Sequence, residues 1–482
     1  MPERWQLVIG GKKTNSLSGR TFFVANPATG ETVAEVAEAG PEDVDSAVRA
    51  ANRAFREGPW GRSSAAERAR VLFRVATLIR ERAEELAVLE TRQSGKPIAD
   101  SRDDVAGAAD CFEYYAGAAT KVFGETIPVA TPGLDFTLKE PLGVAALIVP
   151  WNFPVAIASW KLAPALAAGC TAVLKPASYT PLTALALGEI ALAAGAPPGV
   201  VNVLAGPGAV VGGALAAHDL VAKIALTGET STGQEILRTA AGTMKRVSLE
   251  LGGKSPLIVF GDADLDRAAE KAPLSVFSMA GQDCCARTRC LVERRVHDDF
   301  LDRFVRKTRE LRVGDPMDPS TQVGPLISRR QFESVSKYLS IGREEGARLV
   351  CGGTPPAGPA LAKGAYMLPA VFDRVTDSMR IFQEEIFGPV ITFTPFDDEE
   401  EAAELANATP YGLSGSIWTT DIGRALRTAR RVKSGVLSVN SSRSVHIEAP
   451  FGGRKMSGIG RDLGMDALSN YLETKNVFVS LE

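Results

Sequence analysis

The stretch SMAGQDCCARTRC (278–290) sets two thiols side by side, Cys284 and Cys285, just after Gly281. A cysteine becomes a nucleophile as a thiolate, which needs access and a helix N-terminus or positive charge, and a companion able to activate water. Gly281 supplies a turn before Cys284, and Arg287 and Arg289 lie nearby in sequence. Against that stands the commoner fate of a cysteine in a long chain, a small buried hydrophobe. The other chemistry-bearing residues are sparse. Three histidines (His218, His297, His446) offer neither an HExxH pair nor material for a histidine-based triad, and no metal site is expected. The run AGPGAVVG (205–212) follows an apolar stretch as GxGxxxG, a weak sign of dinucleotide binding.

The elements that must position these residues follow from hydrophobic patterning. From Leu142 onward, strand, turn and helix alternate: VAALIV, a helix near 155–168, TAVLK, a helix near 181–194, VVNVLAG, a short helix, AKIALTG, a helix near 231–241, and RVSLEL. Such alternation predicts a parallel, doubly wound α/β sheet, with ligands at the carboxyl ends of its strands. A second alternating block runs from PLIVF near 256 to GVLSVN near 440 and reads as another α/β domain. Upstream, Ser64 and Glu67 form a capping box ahead of helical spacing that stops at Gly95-Lys96-Pro97. The segment 124–142 reads as a hairpin-like excursion.

The 482 residues are 45% hydrophobic and 23% charged, with a formal net charge of −3, which describes a globular protein with no polyanion-binding patch and hence no nucleic-acid partner. The apolar stretch Gly143 to Leu174 carries one charge, Lys161, but Pro150, Asn152, Pro154 and Pro164 interrupt it, so buried strands are expected rather than a membrane span. Six cysteines without CxxC spacing and an N-terminal apolar run too short for a signal peptide lead to the expectation of a reduced, cytoplasmic setting.

Seven motifs then occur in a fixed order: PWNFP (150–154), LKPAS (174–178), LTGETSTG (226–233), LELGGKSP (249–256), GQDC (281–284), EEIFGPV (384–390) and PFGGRKMSGIGRD (450–462). Together they resemble the NAD(P)-dependent aldehyde dehydrogenase superfamily, from about residue 20 to 480. The resemblance implies a Rossmann-like cofactor domain (1–123 and 143–250), an α/β catalytic domain (251–440), a small β oligomerisation element (124–142 and 463–482) and a pocket-and-linker segment (441–462). It implies oxidation of an aldehyde to the carboxylic acid with NAD(P)+ and water. The nucleophile is then Cys284, with Cys285 as packing, since adjacent side chains on an extended or turning backbone diverge. Glu250 becomes the general base, and Asn152 with the Cys284 N–H the oxyanion hole.

For the cofactor, the resemblance implies Lys175 at the adenosine ribose, Gly208 in the adenine loop, and the helix start with Gly228 at the pyrophosphate. Glu385 and Phe387 would hold the nicotinamide ribose and ring, and Pro150, Trp151 and Gly252 complete the wall. Two departures bear on cofactor choice. Ser178 stands where the family commonly has a glutamate that contacts the ribose 2′-hydroxyl, which permits NADP; Glu229 replaces a serine and could restore an acidic group near that ribose. The balance favours NAD, with NADP use open.

By motif position, the substrate pocket draws on Phe153, Ile157, Trp160, Leu274, Ser278 and Phe451. Arg443, His446 and Glu448 are unusual additions: Arg443 suits a substrate carboxylate, Glu448 a substrate amine, and all three equally suit a solvated loop. A homodimer or homotetramer is expected from the apolar edge strands. The alternatives are an NADP-preferring semialdehyde dehydrogenase, a CoA-acylating relative, a catalytically silent member and, most remote, a cofactor-independent thiol hydrolase.

Overall fold

The computed structural model describes residues 2–482. Its organising element is the strand Val144–Ile148, every residue of which is buried, as expected for a parallel strand covered on both faces. Thr171–Lys175 and Val201–Val203 extend the sheet to one side, and Val221–Thr227 and Arg246–Glu250 to the other, all parallel. The chain thus starts in the middle, winds outward, returns and winds out the other way. The reversal leaves a crevice above Val144–Ile148 and Val221–Thr227, where open α/β sheets take ligands. Register aligns the ends that matter: Ile148 pairs with Lys175, Leu226 with Ile148, and Thr227 with Glu250.

Antiparallel strands finish both edges. Leu7–Ile9 and Lys12–Thr14 follow Val201–Val203. Gly458–Ile459 flanks Arg246–Glu250, so a segment read as linker is also a strand of this sheet. A separate three-stranded sheet, Glu3–Trp5, Thr32–Ala37 and Thr21–Ala25, lies outside the elements the patterning predicts, because its strands are only three to six residues long.

The second sheet has seven strands in the order Arg348–Cys351, Ala370–Asp373, Val390–Phe396, Arg289–Glu293, Pro256–Val259, Ser416–Trp418 and Ser438–Val439, with only Arg348–Cys351 antiparallel. Each of the two large sheets has its own hydrophobic core. Gly133–Pro141 pairs antiparallel with Leu472–Ser480 along its whole length, joined by Thr126–Ile127, and this ribbon exposes Leu134, Leu138, Phe478 and Val479.

The helices are closed by the signals the sequence carries. Ser64 Oγ accepts from Glu67 N–H at 3.3 Å and Glu67 Oε2 accepts from Ser64 N–H at 2.8 Å, opening Ala65–Glu81. The run read as continuous breaks at Arg82, and Ala83–Ser94 ends at Gly95, whose φ of 75° is left-handed. Pro154–Ala168 begins directly after PWNFP. The buried Glu90 accepts Val155 N–H at 3.1 Å and also bonds Gln93 and Thr183, so the start of this helix, and the loop carrying Asn152, is anchored to the helical layer beneath. No helix among the described residues is long and apolar enough to cross a membrane.

Candidate active site

The loop bearing the two thiols is wound the wrong way for most residues. After helix Leu265–Phe277, Met279, Ala280 and Gly281 all have positive φ (52°, 55° and 70°). Side chains resist that region, so the surroundings must hold it. Gln282 does much of this: its Nε2 donates to Met279 O at 2.9 Å and its Oε1 accepts Ile327 N–H at 2.9 Å. At Gly281 a Cβ would fall 2.2 Å from the Gly388 carbonyl. Cys284 emerges partly exposed, its carbonyl against Gly253, where a Cβ would lie 2.6 Å away.

Two expectations fail here. The adjacent thiols do not diverge: Cys285 N–H donates to Asp283 Oδ1 at 2.8 Å, and in the resulting turn the Cys284 and Cys285 sulfurs lie within 4.8 Å of each other. Nor do Arg287 and Arg289 favour a thiolate. Arg287 bonds Ser416, Ser442, Ser444 and the Cys285 carbonyl, and Arg289 bonds the carbonyls of Lys254, Leu405 and Ala406. The Cys284 thiol is accordingly pushed well up, first by the adjoining Cys285 thiol, then by burial and by the Asp283 and Glu385 carboxylates. Cys285 itself is buried in the first core.

Asn152 is also buried, and its Nδ2 donates to the Gln282 carbonyl at 2.9 Å. An amide nitrogen has two hydrogens, so this bond orients the group and leaves one N–H to donate elsewhere. Glu250 ends its strand in a buried position where neither oxygen makes a well-formed hydrogen bond. Its side chain reaches toward Gly452, where a Cβ would sit 2.4 Å from Oε1. Burial raises its pKa well above the carboxylate range, helped by Asp462 and opposed by Lys161, Arg461 and, last and least, the nearby Gly453 N–H. Lys161 and Asp462 form a buried ion pair at 2.8 Å. The sequence had shown Lys161 only as an isolated charge, because its partner is 301 residues away.

Around Cys284 lies a cleft of about 400 Å³ whose walls include Pro150, Trp151, Asn152, Gly228, Glu229, Gly252, Glu385 and Phe387. Glu385 Oε1 accepts Gly253 N–H at 3.0 Å, and a Cβ on Gly252 would be 2.0 Å from Glu385 Oε2, so only glycine fits there. Burial lifts the Glu385 carboxyl to about 7. Trp151 and Phe387 meet edge to face at 5.2 Å, and Gln331 Nε2 donates to the Phe387 carbonyl at 2.8 Å. Gln331, Arg330, Ser334 and Tyr338 come from helix Arg329–Glu344, a contribution missed because no motif marks it.

Helix Thr230–Ala241 starts at this cleft with no side chain capping its first amides, and the buried Thr227 and Thr230 hydroxyls have no protein partner. These free donors, with the positive end of the helix dipole, suit a phosphate-bearing ligand. Lys175 is buried, lowered to about 8 by desolvation, with Gly208 beside its Nζ. Ser178 Oγ donates to the Gly206 carbonyl at 2.9 Å. Glu229 is exposed and lines the cleft with Cys284 and Glu385, whereas Ser178 is no part of that lining. A free phosphate-binding helix start, a buried lysine and a glycine-lined carboxylate on one crevice are features that a dinucleotide fits.

Of the residues expected at the substrate pocket, Ile157 and Phe451 are buried, and Trp160 meets Phe451 at 5.5 Å. Phe153 lies under the Lys96 ammonium, 3.9 Å from ring to nitrogen. Ser278 is half-buried and Leu274 exposed, and Arg443, His446 and Glu448 are exposed on an irregular loop, with Glu448 near Tyr114.

Comparison with known proteins matches residues 14–477 to the model of the aldehyde dehydrogenase family. The chain is 47% identical over 478 residues to aldehyde dehydrogenase family 2 member B4 of Arabidopsis thaliana, covering 99% of this chain and 88% of that one. Among solved structures it is similar to an NAD-dependent aldehyde dehydrogenase from Sinorhizobium meliloti (TM-score 0.97, 43% identity, 99% and 95% covered). It is equally similar to the NAD+ complex of an aldehyde dehydrogenase from Bacillus cereus (TM-score 0.97, 43% identity, 100% and 97% covered).

Proposed function

Because the chain belongs to the aldehyde dehydrogenase family, whose members are oxidoreductases acting on aldehydes, we propose that it oxidises an aldehyde to the carboxylic acid through a covalent intermediate on Cys284. The observation that carries this reading is the convergence of Cys284, Asn152 and Glu385 on one cleft, with Glu250 buried nearby. The Cys284 thiol gives up its proton to solvent, and its sulfur adds to the aldehyde carbonyl as the C=O π bond opens, giving a thiohemiacetal. Its oxyanion is held by the second Asn152 N–H and the Cys284 backbone N–H, donors fixed before the reaction begins. A nicotinamide dinucleotide, when bound, supplies hydride acceptance. The acyl group remains on Cys284 as a thioester. Glu250 then swings from Gly452, takes a proton from water, and the hydroxide releases the acid and restores the thiol.

For the cofactor we assign Lys175, Ser178 and Gly208 to the adenosine half. Gly228 and Glu229 flank the phosphates, and Pro150, Trp151, Gly252, Glu385 and Phe387 the nicotinamide half. NAD is the proposed cofactor, in keeping with the relatives named as NAD-dependent or as NAD+ complexes. The test is the initial rate of reduced-nicotinamide formation with a simple aliphatic aldehyde and NAD or NADP in parallel. A rate that requires dinucleotide supports the reading, and acid formation without it returns the thiol hydrolase. Since no carboxylate stands at Ser178, Ser178→Glu should raise the NAD to NADP ratio of kcat/KM by roughly tenfold or more. An unchanged ratio would place the ribose elsewhere.

A carboxylate held up in pKa acts as a base only as pH rises through its raised value, so turnover limited by Glu250 should increase with pH. Asp462 raises Glu250 and Lys161 lowers it. Asp462→Asn removes the raising charge and keeps an acceptor for Lys161, so the rising limb of the kcat profile should move to lower pH. A limb that stays in place would separate Glu250 from the observed ionisation.

We further assign residues 1–123 and 143–250 to the cofactor-binding unit, 251–440 to the catalytic unit and 441–462 to the pocket and linker, in a cytoplasmic enzyme. The ribbon of 124–142 and 463–482 is read as an oligomer interface. Its exposed Leu134, Leu138 and Phe478 on a three-stranded sheet need a cover. Sedimentation should return at least two chains; a monomer would leave the ribbon unexplained.

A further inference from the structure

We propose that Cys284, Cys285 and Asp283 form a chelating site for a thiophilic divalent cation such as Zn²⁺, which reversibly occupies the nucleophile. The two sulfurs and an Asp283 carboxylate oxygen all lie within 4.8 Å of one another, the one such His, Cys, Asp and Glu cluster among the described residues. A zinc–thiolate bond is about 2.3 Å, so two sulfurs on one ion lie at most about 4.6 Å apart, a span this turn nearly offers without unfolding. The Cys285 N–H bond to Asp283 Oδ1 holds the turn and leaves Oδ2 to ligate.

Charge points the same way. Asp283 and Glu385 both bear on Cys284; Lys254 answers Glu385, while Arg287 and Arg289, the nearest cations in sequence, are committed to carbonyls and hydroxyls. A divalent cation would replace the two thiol protons, which leave to solvent as two metal–sulfur bonds form. Three protein ligands leave a fourth tetrahedral position for water, and the cleft that Cys284 lines gives the ion a way in. The sequence concealed this because adjacent cysteines match no metal-ligand spacing.

That the ion stops turnover rests on Cys284 being the nucleophile; its uptake does not. The test is titration of the full chain, free of dinucleotide, with Cd²⁺, following thiolate-to-metal charge-transfer absorption, with Zn²⁺ inhibition of aldehyde oxidation and its reversal by a chelator measured in parallel. One ion per chain with the intensity of two thiolates is expected. Cys285→Ala should lose half that intensity and bind more than about tenfold more weakly, and Asp283→Asn should also bind more weakly with full intensity. No band in the wild type, or unchanged binding in both variants, would overturn the proposal. Metal uptake by a protein that oxidises no aldehyde would leave the site standing and remove the catalytic reading.

Discussion

Cys284→Ser should lower kcat by at least about 10³-fold while leaving dinucleotide affinity within about twofold, because only the bond-forming atom changes. A serine hydroxyl is a far weaker nucleophile than a thiol, and nothing near this position compensates. Among the described residues no histidine lines the Cys284 cleft, and the Glu250 carboxylate lies toward Gly452. Affinity is readable independently of turnover, since Trp151 lines the cleft and its fluorescence reports occupancy. A variant that binds dinucleotide normally and fails to turn over isolates the thiol as the missing part. Undiminished turnover would remove Cys284 as nucleophile and, with the Cys285 sulfur within 4.8 Å, direct attention there.

Glu250→Gln should divide the reaction in two. The amide fits the same space against Gly452 and cannot take a proton from water. The steady-state rate should fall by about 10²- to 10⁴-fold, the range for loss of a general base, while a rapid burst of about one equivalent of reduced nicotinamide per active site survives. The burst reports acylation and the slow phase hydrolysis of the thioester. Loss of both phases together would mean that Glu250 serves the thiol as well as the water, and an unimpaired steady state would assign the base elsewhere.

What could be read in advance divides along physical lines. The central sheet was legible because strands buried on both faces, such as VAALI and TAVLK, must be continuous apolar runs. The small N-terminal sheet was not, since Glu3–Trp5 and Thr21–Ala25 are only three and five residues long, mostly exposed, and held by pairing along Thr32–Ala37. At the site, Cys284, Glu250 and Asn152 stood out through ordered motifs; composition alone would have left Cys284 a core residue. Proximity in sequence misled at Arg287 and Arg289, whose guanidiniums reach backbone carbonyls instead of a thiol. Distance hid Lys161 with Asp462, and helix Arg329–Glu344 reached the cleft without any motif to announce Gln331.

The most direct measurement is the intact mass of Glu250→Gln, quenched in acid within its burst after mixing with one aldehyde and NAD+, followed by digestion to locate the added mass. The expected result is one acyl group per active site on the peptide carrying Cys284. An unmodified Cys284 while free acid accumulates would contradict covalent catalysis at this thiol.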